Sequence, residues 1–306
     1  MNHQQLKIFV LTAQYGKLTE VAEYLELKQP TVTFHLNKLQ QNIGVQLFSK
    51  TRSQQWVLTD AGTAFYHYAN QIIQLSHEAE MLMKEYQSLK RGKVFLGASY
   101  TPASYILPSH LANFQKKNKE VYVSLMVKKA PSILDRVKNY QLDIGVMAYG
   151  PLNDPELNII PVMEDELVLI MHPNHPLAEK QSIQLHDLSF YSFILHEKKA
   201  VSRLLTEQWQ QENKLKLKVM MEMGSIQTIK EAIASDIGLS IVPKLTVERE
   251  KREGKLLVRT LPNYQNQRYI YLIHRKNQLF TPLMEKFYTY LQHSLQQDKG
   301  TGSASH

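Results

Sequence analysis

Hydroxyl-bearing turns that could hold an anion follow two predicted strands in the back half of the chain. The first is Ser99-Tyr100-Thr101-Pro102, which sets two hydroxyl groups beside the unpaired N–H groups at the start of a helix. The second is Gly224-Ser225-x-Gln227, again a turn from a strand into a helix. A helix N-terminus with hydroxyl groups can bind a carboxylate or another anion without a buried cation. Plain helix capping is the alternative interpretation of both turns.

Other side chains that could meet a small molecule follow further predicted strands of the same region. Ser202 and Arg203 come after the strand Phe193–Leu195, and Lys128-Lys129-Ala130 comes after the strand Val121–Val127. Loops at the carboxyl ends of strands, between two lobes, are where α/β proteins bind ligands. The two lysines would attract an anion, whereas the side chain of Ala130 donates no hydrogen bond. The sequence therefore favours a small anionic ligand.

Patterns for catalysis and for metal binding are missing from the sequence. The chain has no cysteine, which excludes disulfides, thiolate metal sites and cysteine nucleophiles. It also lacks a P-loop, a G-x-S-x-G turn and an H-E-x-x-H pair. The one tight histidine pair, His172-Pro-Asn-His175, lies in a predicted loop. We therefore expect neither an enzyme, nor a metal site, nor a resident cofactor.

The composition is that of a globular protein with two or more domains. Of the 306 residues, 43% are hydrophobic and 21% are charged, which is ordinary globular usage. The longest aliphatic run is Leu167–Met171, far shorter than the ~20 residues of a membrane span, and no secretory signal is visible. A cytoplasmic location is therefore expected. The net charge of +8 suggests a polyanion partner, but residues 1–92 carry only 9 Lys and Arg against 7 Asp and Glu.

The first sixty residues show the spacing of a winged helix-turn-helix. Apolar residues at helical spacing predict a first helix, Thr19 is the predicted N-cap of a second, and Pro30 suits the first position of a third. Two helices joined by about three or four residues, the second opening on Pro, are typical of a helix-turn-helix. A polar run with Lys50 and Arg52 between apolar residues predicts a two-stranded wing. An ordinary small helical domain is the alternative that spacing leaves open.

One long helix is predicted to follow the wing. Its apolar residues step alternately by four and by three, with no Gly or Pro between Gly62 and Gly92. These residues are Ala61, Phe65, Tyr68, Ile72, Leu75, Ala79, Leu82, Tyr86 and Leu89. The pattern is that of a coiled-coil seam, so the helix is predicted to pair with its symmetry mate. A helix buried on its own domain is the alternative.

Strand and helix signals alternate over the remainder of the chain. This alternation predicts βαβ units with a mainly parallel sheet, repeated in a second region from about Val162 to Arg268. A last helix is predicted from Thr281-Pro282 to about Gln296. The polar tail 297–306 is predicted to be disordered or a non-native extension.

Five blocks of residues in the front part occur in a fixed order and spacing. They are Leu6-x-x-Phe9, Leu18-Thr19-x-Val21-Ala22-x-x-Leu25, Gln29-Pro30-Thr31-Val32-Thr33-x-x-Leu36-x-x-Leu39, Gly44-Val45-x-Leu47-Phe48 and Leu58-Thr59-x-Ala61-Gly62. Two blocks of the back half are His175-Pro176-Leu177-Ala178 and the segment from Glu231 to Pro243. Over about residues 3–295 these blocks resemble the LysR-type transcriptional regulators.

The resemblance implies an architecture and a set of partners. A winged helix-turn-helix of the all-α type (1–59) and a dimerising linker helix (60–91) would precede a two-lobed α/β effector domain like a type 2 periplasmic binding protein. Its lobe I would comprise 93–161 and 269–295, and its lobe II 162–268. The implied partners are promoter DNA, a small metabolite, RNA polymerase and further copies of the chain, assembled as a homotetramer built from two dimers. No membrane partner is implied.

The resemblance also implies which residues bind. Polar residues of the third helix would meet base edges and phosphates in the major groove, and those of the wing would meet the backbone or the minor groove. The expected DNA contacts are Gln29, Pro30, Thr31, Thr33, His35, Lys38, Lys50 and Arg52. The expected effector contacts are Ser99, Tyr100, Thr101, Lys129, Ala130, Ser202, Ser225 and Gln227.

The chain departs from the family pattern at several of these positions. Phe34 and His35 stand where a basic or amide residue is common, and we expect Phe34 to pack rather than to touch bases. Lys28 stands where a capping Ser is frequent, and Ala130 where a small hydroxyl residue is frequent. These departures leave the operator sequence open and make the effector chemistry hard to transfer from the family.

Two other functional classes compete with a ligand-responsive transcription factor. A periplasmic solute-binding protein would explain the back half but not the front, and it would need a signal peptide. A cytoplasmic small-molecule sensor that acts through protein partners, without sequence-specific DNA binding, stays open. The two classes can be told apart by footprinting, because a transcription factor would protect promoter DNA and this sensor would not.

Overall fold

The computed structural model of the chain describes residues 1–51, 54–87 and 92–301. The chain divides into two compact units, Met1–Arg91 with Asn139–Gln141 and Gly92–Lys138 with Leu142–His306. No helix in the described part of the chain combines the length and the apolar character that a membrane crossing requires.

Helices and a short hairpin build the first unit. In chain order the elements are α1 (His3–Tyr15), α2 (Leu18–Tyr24), α3 (Gln29–Ile43), β1 (Phe48–Lys50), β2 (Trp56–Leu58) and α4 (Asp60–Gln87). The side chains of Asn2 and Gln5 cap each other's backbone N–H at the start of α1, and Gly16 ends it at φ +72°. The predicted N-cap Thr19 is wrong, because Lys17 is already the extended residue before α2 and Thr19 lies inside the helix.

The buried face of α3 holds this helix against the rest of the unit. Val32, Leu36 and Leu39 recur at helical spacing and are fully buried in the core of the unit. Phe9 of α1 packs in the same core against Phe48 of β1, with ring centroids 5.2 Å apart. The opposite, polar face of α3 therefore points away from the core.

The expected wing is present as the antiparallel hairpin of β1 and β2, in which Lys50 lies opposite Trp56. A buried amide of α3 anchors it. Gln40 Oε1 accepts the backbone N–H groups of Leu47, at 2.8 Å, and Phe48, at 3.2 Å. The wing is thus positioned directly by the helix beside which it would act.

The long helix α4 starts directly after the wing, as expected. Phe65 packs against the core of the unit, whereas Tyr68, Ile72 and Leu75 further along the predicted seam are exposed. Three other seam residues fall outside the described side chains: Leu82, Tyr86 and Leu89. Because Tyr68, Ile72 and Leu75 are exposed, this part of the helix is not buried on its own domain. An exposed apolar stripe is what coiled-coil pairing requires.

Strands and helices alternate through the second unit. In chain order they are β3 (Lys93–Ala98), α5 (Tyr100–Tyr105), α6 (Leu107–Lys117), β4 (Tyr122–Val127), α7 (Ala130–Lys138), β5 (Ile144–Tyr149), β6 (Leu157–Glu164), β7 (Leu167–Met171), α8 (Leu185–Leu188), β8 (Ser192–His196), α9 (Val201–Glu212), β9 (Lys218–Met223), α10 (Ile226–Ala234), β10 (Ser240–Pro243), α11 (Glu248–Arg252), β11 (Leu257–Thr260), β12 (Tyr269–Arg275) and α12 (Pro282–Thr301).

One sheet, which we call the sheet of the first lobe, has the strand order β4-β3-β5-β12-β6. Strands β4, β3 and β5 are parallel, as expected for βαβ units. Strand β12 is antiparallel to both of its neighbours, so the expectation of a mainly parallel sheet is only half right. The reason is that β12 returns from the second lobe without a crossover helix.

The second lobe contains strands β7 to β11. Strand β7 lies between β10 and β11, antiparallel to both, and β8 pairs with β9 in parallel. A bridge between Phe193 and Leu239 connects the two groups. Parallel strands β3 and β4 of the first lobe, and β8 and β9 of the second, each end in loops at a shared carboxyl edge, which is where ligand-binding loops collect in α/β folds.

The last helix starts as expected but ends later. Thr281 Oγ1 accepts the N–H group three residues on, at 3.1 Å. Helix α12 continues to Thr301 instead of ending near Gln296. Intrinsic propensity does not explain the extension, because Asp298 and Gly300 are poor helix formers. Residues 297–301 of the predicted tail are therefore helical, and 302–306 lie outside the described residues.

Substitution of Gly62 is expected to destabilise the first unit. A Cβ atom at Gly62 would lie 2.0 Å from the backbone oxygen of Leu47, which leads into the wing. Gly62→Ala should lower the free energy of unfolding by about 1–3 kcal/mol, the usual cost of overpacking, although Gly→Ala normally favours a helix. Calorimetry of the full chain measures this change.

The matched control is Gly224→Ala, since a Cβ there meets no described atom within 4 Å. If Gly62→Ala were as stable as the unchanged chain, the close approach of α4 to the wing would be refuted.

Candidate functional site

The residues expected at DNA lie on the outer face of α3 and on the wing. Gln29 and Pro30 are exposed at the start of α3, and Lys38 is exposed two turns further on. Thr31, Thr33 and His35 are half-buried at the sides of this face. The hydroxyl of Thr33 donates to the carbonyl of Gln29 at 3.0 Å, so its proton is used within the helix.

On the wing, Lys50 is exposed and sits over an aromatic ring. Its Nζ lies 4.9 Å from the ring centroid of Trp56, a cation–π contact that restrains the lysine. Arg52 lies outside the described residues. The structure thus brings the described residues expected at DNA onto one helix and the hairpin that this helix anchors.

The exposure of Phe34 contradicts the expectation that its side chain packs against the rest of the protein. Its side chain is 59% exposed, and the Nζ atom of Lys38 lies 5.5 Å from the centroid of its ring. Helical phase explains this: at about 100° per residue, position 34 lies about 160° around the helix from the buried Val32 and Leu36. The ring therefore stands on the face that points away from the core.

The segment of sequence that forms α3 and the wing contains basic residues and no carboxylate. From Leu27 to Thr59 the sequence contains no Asp or Glu, and its basic residues are Lys28, Lys38, Lys50 and Arg52. A count over residues 1–92 conceals this, because the acidic residues lie before position 27 and after position 59. A face of amides, hydroxyls and cations without a carboxylate suits a polyanion such as duplex DNA.

In the first lobe, two of the expected effector contacts are buried hydroxyls at the end of β3. Ser99 is the N-cap residue of α5, and its Oγ accepts the backbone N–H of Ala148 at the end of β5, at 2.9 Å. The Oγ1 atom of Thr101 accepts from Arg268 at 3.3 Å. Since each oxygen accepts within the fold, each hydroxyl keeps its proton for an outside acceptor. Tyr100 between them is exposed.

The loop after β4 lies beside Ser99, because Lys128 donates its N–H to the carbonyl of Ala98 at 3.1 Å. Lys129 in this loop forms an ion pair with Glu197 of the second lobe, with Nζ and Oε1 2.8 Å apart. The hydrogen bond from Lys129 lowers the pKa of the Glu197 carboxyl below its ordinary value. Ala130 is buried in an apolar cluster against which Val201 of the second lobe packs. The carboxyl edges of the two lobes therefore meet here.

In the second lobe, His196 connects the loops after β8 and β9. Its Nε2 lies 3.3 Å from the carbonyl oxygen of Gly224, and its Nδ1 lies 3.0 Å from Ser202 Oγ. Burial lowers the pKa of His196, which favours the neutral ring. A carbonyl only accepts, so Nε2 donates to Gly224 and Nδ1 accepts from the hydroxyl of Ser202. Ser225 is exposed as N-cap of α10, and exposed Gln227 donates to Glu231 at 2.8 Å.

Sequence reasoning missed a buried ion pair where the chain crosses between the lobes. Asp165 follows β6, Arg268 precedes β12, and their side chains form an ion pair that is 0% and 4% exposed. Arg268 also donates to the hydroxyl of Thr101 and to the carbonyl of Asp165. Burial lowers the pKa of Arg268 to about 9, so the guanidinium stays protonated at neutral pH. The sequence offered one signal for this pair: in each of the two segments that cross between the lobes, a charged residue stands directly beside an apolar strand.

The histidine pair of the sequence has a local role. His172 Nδ1 accepts the N–H of Asn174, and His175 Nδ1 accepts the N–H of Leu177, both at 3.2 Å. Among the residues described by the structure, no group of three or more His, Cys, Asp or Glu side chains could hold a metal ion.

Comparison with known proteins finds one family profile for each of the two units. The profile described as "Bacterial regulatory helix-turn-helix protein, lysR family" matches residues 3–63, and that of the "LysR substrate binding domain" matches residues 87–296. The transcriptional activator CmpR of Synechocystis is 30% identical over 287 residues, which cover 94% of this chain and 93% of CmpR.

Two solved effector units resemble the second unit. The effector binding domain of QuiR, in complex with shikimate, is 26% identical with a TM-score of 0.59 and covers 68% of this chain and 98% of its own. The regulatory domain of CcmR from Synechocystis, in complex with 2-PG, is 26% identical with a TM-score of 0.61 and covers 67% of this chain and 98% of its own.

Loss of the buried carboxylate is expected to destabilise the second unit strongly. Asp165→Asn would leave the charge of Arg268 buried and uncompensated, which costs about 3–5 kcal/mol. The double variant Asp165→Leu, Arg268→Met should recover most of this loss, because it removes both charges together. Urea unfolding of the full chain, followed by circular dichroism, measures both changes.

The control is Glu253→Gln, which breaks the ion pair with Arg249 on the surface and should leave the transition unchanged. An equally small effect of Asp165→Asn would contradict the assigned role of the buried pair.

Proposed function

Because this chain belongs to the LysR family of DNA-binding transcriptional regulators, we propose that it binds promoter DNA through its first unit under the control of a small anionic metabolite. The metabolite would bind between the two lobes of the second unit and change how the promoter is bound or bent. The relatives are regulators of transcription and not enzymes, so the site serves binding and not catalysis.

One contact carries the proposed ligand class: the ion pair of Lys129 and Glu197 between the two lobes. A carboxylate or phosphate that enters here offers Lys129 a second anionic partner in place of Glu197. Exposed ion pairs are worth only about 0–1 kcal/mol, so the exchange costs little. Shikimate, the ligand in the similar QuiR domain, is a carboxylate, which supports this class.

Neutral groups on both edges would complete the site. The hydroxyls of Ser99 and Thr101 retain protons to donate to an anion, and the loops after β8 and β9 offer further polar groups. The proposed ligand contacts are Ser99, Tyr100, Thr101, Lys129, Ala130, Ser202, Ser225 and Gln227. Regulation then requires that the ligand binds one arrangement of the lobes more tightly than another.

The proposed regulator acts as an oligomer. The exposed stripe Tyr68, Ile72 and Leu75 of α4 would pair with the same stripe of a second copy, and two dimers would form a tetramer. Paired first units would read half-sites related by a two-fold axis and separated by whole helical turns. Such a regulator acts in the bacterial cytoplasm and meets RNA polymerase at the promoter.

The test of DNA binding is footprinting of the purified full chain on DNA upstream of its own gene and of divergent neighbours. We expect a dyad-symmetric protected site. Lys50→Gln should lower the slope of log K against log salt by about one unit for each bound first unit, hence by about two units for a dimer on two half-sites. Lys244→Gln is the control, because Lys244 pairs with Glu166 in the second unit. Absence of protection at low salt would favour a sensor that acts through protein partners.

Substitutions of Lys129 and of Glu197 test the ligand class, because they should change the affinity for an anionic effector in opposite directions. Lys129→Met should weaken binding of an anionic effector about tenfold or more, since a hydrogen bond to a charged group contributes about 1.5–3 kcal/mol. Glu197→Gln should tighten it, because Lys129 loses its competing carboxylate. Calorimetric titration with shikimate, other carboxylates and phosphate esters, each beside its neutral analogue, gives the affinities.

Lys180→Met serves as the control for the change in net charge, since Lys180 pairs with Asp187 in another part of the second lobe. If the neutral analogue bound as tightly as the anion, or if both variants at 129 and 197 shifted affinity in the same direction, the proposed ligand class would be wrong.

A further inference from the structure

The exposed ring of Phe34 stands at the centre of the outer face of α3. The buried residues Val32, Leu36 and Leu39 define the inner face, and Phe34 lies opposite them. Its exposed neighbours on the outer face are one or two turns away: Pro30, Asn37, Lys38 and Gln41. Apart from Pro30, these neighbours offer only hydrogen-bonding or charged groups. Phe34 is therefore the one large apolar side chain on this face of the helix.

Exposure of this ring is unfavourable in water, and the packing of the unit does not require it. A phenylalanine gains about 1.5–3 kcal/mol when it leaves water. Single exposed apolar side chains are common on protein surfaces, so what points to a partner is the position of Phe34 on the helix expected in the major groove, and not its exposure alone. The positive surroundings restrict that partner. From Leu27 to Thr59 no carboxylate occurs in the sequence, and Lys38 Nζ lies 5.5 Å from the ring centroid. A face with these cations and no carboxylate suits a polyanion.

Duplex DNA is a polyanion whose major groove presents one apolar group, the C5-methyl of thymine. We propose that Phe34 reads a thymine methyl group in each half-site and so determines the sequence that the chain binds. This inference rests on the proposed function, since it needs α3 in the major groove. The polar start of α3 reads its bases one helical turn before the ring, a rise of about 5.4 Å. The thymine therefore lies within about two base pairs of the bases read by that start.

The experiment removes the methyl group and nothing else. Each thymine of the protected site is replaced in turn by deoxyuridine, which keeps base pairing, and the full chain is titrated by fluorescence anisotropy. For the unchanged chain we expect one position in each half-site at which the replacement weakens binding about fourfold, the factor for one buried methyl group. Phe34→Ala should weaken binding to the thymine duplex and abolish the difference between thymine and deoxyuridine at that position.

The matched control is Tyr24→Ala, because Tyr24 is an aromatic residue of the same unit with the same exposure of 59%. This variant should retain the full sensitivity to deoxyuridine. Phe34 is exposed, so its substitution should leave the melting temperature of the unit unchanged, which circular dichroism verifies.

Each outcome decides the inference. If Phe34→Ala kept the sensitivity of the unchanged chain, or if no deoxyuridine weakened binding of the unchanged chain, Phe34 would not read thymine although DNA binding stands. If the unchanged chain bound no duplex at all, the proposed function would fail first and the inference would fall with it.

Discussion

The geometry of the second unit depends on the buried ion pair of Asp165 and Arg268. The chain passes between the lobes after β6 and again before β12, and this pair ties the two passages together at side chains that are almost fully buried. Separating the two charges would leave an uncompensated buried charge, at a cost of about 3–5 kcal/mol. We therefore expect the lobes to rotate relative to each other about the Asp165–Arg268 ion pair, and the pair itself to stay intact. Because Arg268 also donates to Thr101, the same pair fixes one hydroxyl of the proposed ligand site.

The ion pair of Lys129 and Glu197 has the opposite physical character. Its side chains are 48% and 36% exposed, so water screens their attraction and breaking the pair costs little. The buried pair at the crossings would then act as a fixed point, and the exposed pair at the carboxyl edges as an exchangeable contact. The proposed anionic ligand would compete for the exposed lysine, whereas the buried arginine already has its carboxylate. Burial, and not charge alone, thus decides which cation is open to a ligand.

Local patterns allowed the elements to be predicted, but not the contacts between them. The helix-turn-helix, the wing and the start of α4 follow from spacing and turn residues within a few positions, which is why they agree with the structure. The antiparallel β12 depends on how the chain returns from the second lobe, and no residue of β12 itself reports this. Asp165 and Arg268 are 103 positions apart, so no local signal pairs them. Phe34 was misjudged for another reason: the apolar character of the residue outweighed its helical phase, although the phase was already contained in Val32, Leu36 and Leu39.

The charge of the chain illustrates why the relevant quantity for DNA binding is local. At about 0.1 M salt, exposed charges separated by more than roughly 10 Å are largely screened, so the net charge of +8 says little about any one face. What matters on α3 and the wing is that cations occur without carboxylates over a continuous stretch of sequence. Attraction between cations and phosphates carries no sequence information, because every base pair has the same phosphates. Discrimination must therefore come from the few side chains that reach the bases, and the outer face of α3 offers a few amides and hydroxyls and a single aromatic ring for this role.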